Sequence, residues 1–180
     1  MNPKNIKLGA LKEDLIIIIE NEKYGFVNEI DEIVIKPIYE EVLNFSENLA
    51  GFKLNGKWGF IDKNGKQIIE PKYDRVSDFN RGLSRVILND KCGLINTQDK
   101  FVAELIYDWI DNFSEGFAVV QLNEKYGFID ENGKQLVEAK FDFAWSFRKG
   151  LAEVKLNGKY GFIDKNGDFV IKPKFDDIGY

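Results

Sequence analysis

The chain has 180 residues, enough for one ordinary domain or one short repeat array, and 44% of them are hydrophobic and 31% charged, as in a folded globular protein. Its net charge of −5 is spread over interspersed Lys, Arg, Asp and Glu with no basic stripe, which argues against a nucleic-acid partner because a phosphate backbone repels that balance. No His is present, which removes the commonest general base and metal ligand, and the single cysteine, Cys92, has no partner in the chain for a disulfide.

Residues Met1 to Asp14 contain no long apolar run. The block Leu15 to Ile19 is too short for a signal peptide or a membrane span, so the expectation is a cytoplasmic protein without membrane insertion. A mature exported chain would read the same way.

From Leu15 onward one pattern governs the sequence. Leu54–Lys66 reads Leu-Asn-Gly-Lys-Trp-Gly-Phe-Ile-Asp-Lys-Asn-Gly-Lys, and its central glycine recurs as Gly25, Gly59, Gly93, Gly127 and Gly161, in steps of 34 residues. The copies are 15–48, 49–82, 83–116, 117–150 and 151–180, read as one domain of five tandem repeats. In the leader, 1–14, Pro3, Leu8 and Leu11 fall in phase with Pro37, Val42 and Phe45. That leader is therefore read as a partial repeat that either caps one end or completes the last unit and closes a ring.

A 34-residue period also fits a two-helix tetratricopeptide unit, but two turn signals about nine residues apart leave no room for two helices. The residues between the turns are aromatic and β-branched, which predicts strands. In Leu151–Leu156, Ala152, Val154 and Leu156 share one face and Glu153 and Lys155 the other, the period of a half-buried strand. Asn157-Gly158 then suits a type I′ hairpin turn, whereas Asn21-Glu22, Asn89-Asp90 and Asn123-Glu124 lack the glycine and predict weaker hairpins.

The second strand, as in Lys159–Asp164, carries the central glycine. A glycine there costs roughly 0.5–1 kcal/mol against alanine, so its return in every copy predicts close approach of a ring or a backbone. Asp62, Asn96, Asp130, Asp164 and Asn28 each predict an Asx turn into the third strand. Pro37, Pro71 and Pro173 are read as the stops of that third strand, and Tyr73–Phe79 as a single helical or 3₁₀ turn capped by Asp74. Cys92 stands where other copies carry Trp or Tyr and is read as core filling.

With Gly56–Lys66 followed by Ile69, Pro71, Tyr73-Asp74, Phe79 and Gly82-Leu83, the chain resembles the WG (KWG) repeat of bacterial proteins over nearly its whole length. The third copy departs furthest, with Cys92 for the aromatic, Leu105 for the proline and Asn96-Thr97 in the turn. The resemblance implies a β-repeat array and brings no catalytic motif with it. The turn-plus-aromatic layout also resembles cell-wall choline-binding repeats, which are shorter and richer in exposed Trp and Tyr.

The paired aspartates of each copy are explained by turns and caps, and Lys23, Lys57, Lys91, Lys125 and Lys159 by a solvent-facing strand surface beside acidic neighbours. The departures from the repeat single out other residues. Trp109 and Phe143 occupy a position held elsewhere by Glu41, Arg75 and Asp177, and Trp145 one held by Leu43, Ser77, Asp111 and Gly179. If those polar positions face water, Trp109, Phe143 and Trp145 form an exposed aromatic patch suited to binding; the competing reading buries them locally. Ile17 and Ile19 stand where the last copy has Glu153 and Lys155, so both faces of the first strand are apolar. Its cover is read as the leader segment Ile6–Leu11, or else a dimer contact or a strand-adding partner.

The sequence therefore predicts an all-β tandem array of about five three-stranded β-meander repeats, in an open curved solenoid-like stack, with a closed propeller-like ring as the alternative. Three strands per unit, fewer than the four of a propeller blade, favour the open form. The functional expectation is a non-enzymatic protein-binding or scaffold module that uses no cofactor or metal and admits a homo-oligomer through the first strand. The alternative is a carbohydrate or choline-type ligand held by the exposed aromatics.

Overall fold

A computed structural model describes residues 14–179, so the roles read for Pro3, Leu8 and Leu11 and for the cover Ile6–Leu11 lie outside the described residues. Within that range the protein is all β and contains no helix. Its strands form five antiparallel sheets, one of three strands and four of four, and every sheet has two distinct edge strands, so none closes into a barrel. By internal packing the chain divides into two units, residues up to 89 together with 95–100, and residues 90–94 together with those from 101 onward.

In the first unit, Ile16–Glu20, Lys23–Val27 and Ile33–Tyr39 form one sheet, and Glu41–Val42, Leu49–Leu54, Lys57–Asp62 and Gln67–Tyr73 the next. In the second unit the last two sheets repeat that order: Trp109–Ile110, Phe117–Leu122, Lys125–Asp130, Gln135–Phe141, then Phe143–Ala144, Leu151–Leu156, Lys159–Asp164, Phe169–Phe175. Each unit has its own core. Phe26, Ile35, Phe45, Phe52 and Ile61 anchor the first, and Phe128, Phe141, Phe147, Val154 and Ile163 the second.

Two expectations need correction. The segment read as a helical turn is a two-residue strand: Arg75 pairs with Ile87 and Val76 with Val86. Ladder bonds flank it, with the Asp74 and Ser77 N–H groups donating to the Ile87 and Arg85 carbonyls at 2.8 and 2.9 Å, and these use the amides a helical turn would have needed. Tyr73, Val76 and Phe79 are thus three separate anchors of an extended chain, all alike in spacing to a helical face. The short strand also gives each later sheet four strands, which removes the strand-count argument for an open array.

The prolines do not stop the third strand, which runs on to Tyr39, Tyr73 and Phe175. The register instead shifts there: Trp58 pairs with Tyr73 and Phe60 with Ile69, so three residues including Pro71 stand opposite Gly59. A proline fits because the bulged residue has no ladder bond to donate. The same bulge explains the central glycine, as the sequence anticipated. A Cβ on Gly127 would lie 2.6 Å from the Val137 carbonyl oxygen and 2.8 Å from the Ala139 nitrogen, and Gly25, Gly59, Gly93 and Gly161 face the equivalent carbonyls. Backbone, not an aromatic ring, is what closes on the glycine.

The turns follow the sequence reading. The Asp62 carboxylate accepts from the Asn64 and Lys66 N–H groups at 2.9 Å each, and Asn28, Asn96, Asp130 and Asp164 do the same in their copies. In the hairpins, Asn55 and Gly56 have φ of 51° and 77°, while Asn123 and Glu124 are forced to 50° and 62°. Cys92 is buried.

Asp74 is a staple between sheets where a helix cap was expected. It takes an ion pair from Lys57 of its own sheet and a hydrogen bond from the Asn89 N–H in the hairpin turn of the next, at 2.8 Å. Asp108 holds Lys91 (2.7 Å) and the Asn123 N–H (2.7 Å), and Asp142 holds Lys125 (2.7 Å) and the Gly158 N–H (3.0 Å). The lysine hydrogen bond, aided by the turn amide, keeps all three carboxyls below their ordinary pKa.

Three outcomes follow. Gly127→Ala should lower stability by about 1–3 kcal/mol in urea unfolding, since the new Cβ meets backbone that cannot withdraw without breaking the bulge. Glu124→Gly should raise it by up to about 1 kcal/mol, because the left-handed conformation costs glycine least. A carboxyl whose folded pKa is depressed stabilises the fold above its unfolded value near 3.9, and that contribution is lost as pH falls through the folded value. The urea midpoint should therefore hold from neutral pH to about 5 and fall below about 4, and an Asp108→Asn/Asp142→Asn variant should show a shallower fall; an identical acid limb would refute the staple role.

Candidate functional site

The two outer strands of the last two sheets carry the aromatic departures from the repeat. Trp109 opens the short strand Trp109–Ile110, opposite Gln121, and is 43% exposed. Phe143 opens the equivalent strand Phe143–Ala144, opposite Lys155, and is half-buried. Trp145 follows it and is 52% exposed, its backbone N–H donating to the Glu153 carbonyl at 2.9 Å, so the sheet edge holds its backbone in place.

Phe143 and Trp145 are brought together edge to face, with ring centroids 5.2 Å apart, and Phe143 leans on Tyr126 at 5.3 Å. The reading of local burial thus holds in part for Phe143 and fails for both tryptophans. Ile17 and Ile19 pair with Phe26 and Tyr24 and are half-buried, and Ile17 packs against the first unit's core. The two apolar faces of that strand are therefore partly spoken for within its own sheet.

Beyond Trp145 the chain turns tightly. The Arg148 N–H donates to the Leu151 carbonyl at 2.8 Å and the Leu151 N–H returns to Arg148 at 3.2 Å, with Lys149 at a φ of 52°. This turn and the last sheet enclose a groove of about 600 Å³, with Trp145, Leu151 and Phe162 as its apolar wall and Arg148, Lys149 and Glu153 at its polar side. Neither the Arg148 nor the Lys149 side chain makes an ion pair among the described residues. An apolar slot with two cations beside it can hold an apolar group that carries a hydrogen-bond acceptor or a negative charge.

The aromatic departures marked Trp145 in advance, but Arg148, Lys149, Leu151 and Phe162 were passed over. A signal was present. Arg148-Lys149 stands where other copies have Ser46-Glu47, Asn80-Arg81 and Ser114-Glu115, so two adjacent cations occur in this loop only in the last of these copies.

The loop of the preceding sheet shows what those positions do when occupied. The Glu115 carboxylate accepts from the Lys149 and Gly150 N–H groups at 2.6 and 2.9 Å and pairs with Lys165 at 2.9 Å, and that lysine, ahead of the two amides, draws its pKa down.

Comparison with curated proteins returns no match. Among solved structures, a eukaryotic initiation factor is similar at a TM-score of 0.54 with 11% identity, covering 94% of this chain and 54% of that one. Hsv2p of Kluyveromyces lactis is similar at 0.47 with 14% identity, covering 88% of this chain and 59% of that one. The extracellular domain of a putative hybrid two component system from B. thetaiotaomicron gives 0.44 with 13% identity, covering 95% and 29%. The chain thus spans less than two thirds of each of these proteins. The neighbours are β-propeller-like repeat proteins, and at such identities the likeness concerns the fold alone.

The profile described as WG containing repeat matches five times in succession, at residues 24–58, 58–92, 93–126, 126–160 and 160–180. With the Asx turns, the bulge-covered glycine and the 34-residue sheet period behind those matches, this chain belongs to the WG repeat family.

Proposed function

We propose that this protein is a non-enzymatic binding or scaffold module whose partner is a protein, engaged through the groove headed by Trp145. The observation that carries the reading is the exposed indole of Trp145 at the mouth of a 600 Å³ slot with a hydrophobic wall and cationic rim. A large aromatic beside a partly apolar cavity is the usual anchor of a protein interface. The repeat fold suits that role, since stacked sheets present fixed surfaces and the repeated polar residues are already engaged in turns and staples. Nucleic acid, membrane insertion and a cofactor have no part in the proposal, and a homo-oligomer through Ile17 and Ile19 stays subordinate to it because Ile17 already packs on the core.

A second reading places a carbohydrate or quaternary ammonium group on Trp109, Phe143 and Trp145, and the edge-to-face Phe143–Trp145 pair favours it as one corner of an aromatic cage. Arg148 and Lys149 beside Trp145 weigh against a cationic ligand there. Purification of partners from the native host with the wild-type protein and with Trp145→Ala should show recovery of the partner falling at least five-fold in the variant. Equal recovery from a Trp109→Ala/Trp145→Ala variant would sink the aromatic patch altogether. Saturable change of tryptophan fluorescence by choline or wall fragments would transfer support to the second reading.

A further inference from the structure

We propose that the first sheet carries a docking surface of its own, for a protein segment that sets apolar side chains between lysines or arginines. The surface belongs to the first unit and stands independently of the reading above.

Three isoleucines mark it. Ile30 stands where every other copy has an amide, Asn64, Gln98, Asn132 or Asn166. Ile33 and Ile38 stand where the second sheet has Gln67 and Lys72, and no other copy is apolar at all three positions. Ile30 is 72% exposed, and Ile33 and Ile38 are each more than half exposed. The aligned residues of the second, third and fourth copies are exposed without exception, so this exposure comes with the position in the repeat. Apolar residues at positions that the fold leaves in water add nothing to the core and are free for contact.

The turn that displays Ile30 is fixed. The Asn28 Oδ1 accepts from the Ile30 and Glu32 N–H groups at 3.1 and 2.9 Å, and the Asn28 N–H donates to the Glu32 carbonyl at 3.0 Å. A side chain held on such a turn has little freedom left to lose on docking. The strand Ile33–Tyr39 that follows lies at the edge of its sheet, but its register shifts twice against Lys23–Val27 and it contains Pro37. That edge cannot extend a regular ladder to an added strand, so the contact is made by side chains.

Charge selects the occupant. The turn contains Glu29, Asp31 and Glu32 and no cation, whereas the same turn of every other copy has at least one lysine. The Glu29 and Asp31 carboxylates make no ion pair among the described residues. Beside them lies a cleft of about 270 Å³ bordered by Asp14, Asn28, Glu29 and Ile30. It suits a lysine or arginine whose methylene stem lies along Ile30 and whose head meets the carboxylates. The same patch on a second copy would set acid against acid, and a phosphate backbone or an anionic membrane would be repelled as well. The surface therefore calls for a cationic protein segment with apolar side chains between its charges.

The second sheet supplies variants that the repeat already tolerates. Ile30→Asn/Ile33→Gln/Ile38→Lys removes the apolar strip, and Glu29→Lys/Asp31→Gly removes the charge, each giving the residues found at 63–65, 67 and 72. Short random peptides displayed on phage are selected on the full chain after depletion on the strip variant, and the enriched ones are titrated by calorimetry. They should carry lysines or arginines on both sides of apolar residues and bind one to one. The strip variant should weaken binding at least ten-fold and the charge variant at least five-fold. Exchange of the peptide's cations for glutamate should abolish binding to the parent chain and leave tighter binding to the charge variant, which separates recognition from any effect on folding.

Failure to enrich any peptide, enrichment of peptides without basic residues, or equal affinity for the parent chain and the strip variant would overturn the proposal. So would dimers in sedimentation that the strip variant abolishes, which would assign the surface to a second copy. Tryptic cleavage at Lys7 that the strip variant speeds would overturn it too, by assigning the surface to residues 1–13 of the same chain.

Discussion

Sheet-to-sheet packing in this protein turns on one contact, the loop phenylalanine laid on the sheet before its own. A three- or four-stranded sheet of this size cannot bury both of its faces, and most of its turn residues are polar. Phe45, Phe79 and Phe147 each carry the chain out of one sheet and into the apolar face of its neighbour, where they are at least 98% buried. An aromatic ring so placed contributes about 1.5–3 kcal/mol from burial alone, with roughly another 0.5–1.5 from each ring pair. Hydrogen bonds from Ser46 and Ser114 to the carbonyls of the docked residues fix the seat.

The path of the third strand beside that contact is set by the central glycine and the bulge over it. Because three residues of the third strand stand opposite Gly59, the strand must fold down onto its partner, and a side chain there would hold it off. The bulge in turn redirects the end of the third strand, so that Tyr39, Tyr73, Tyr107 and Phe141 enter the core and the acid after each reaches the next hairpin. Glycine, proline, tyrosine and aspartate in the repeat are therefore parts of one device. Four of its residue types are separated in sequence and act at a single place.

The groove proposed for binding lies where the device is altered. The repeated polar groups are consumed by turns and staples. The last sheet carries two adjacent cations, Arg148 and Lys149, where other copies have Ser46-Glu47, Asn80-Arg81 and Ser114-Glu115, and Trp145 where the preceding copy has Asp111. These residues line the groove through which binding is proposed.

Periodicity by itself determined the 34-residue unit, the strand pairs around each hairpin, the Asx turns and the need for a tight approach at the central glycine. Those are local consequences of backbone conformation, legible because turn chemistry depends on residue type. The sequence misread Tyr73–Phe79 as helical and Pro71 as a stop. A three-residue apolar spacing is shared by a helical face and by three anchors on an extended chain, and a bulge leaves no mark in composition. Trp145 could be singled out from the sequence, while Leu151, Phe162, Arg148 and Lys149 could not be joined to it. Those residues come from a loop and two strands, and only the packing of one sheet's loop on another shows that their equivalents hold a phenylalanine ring.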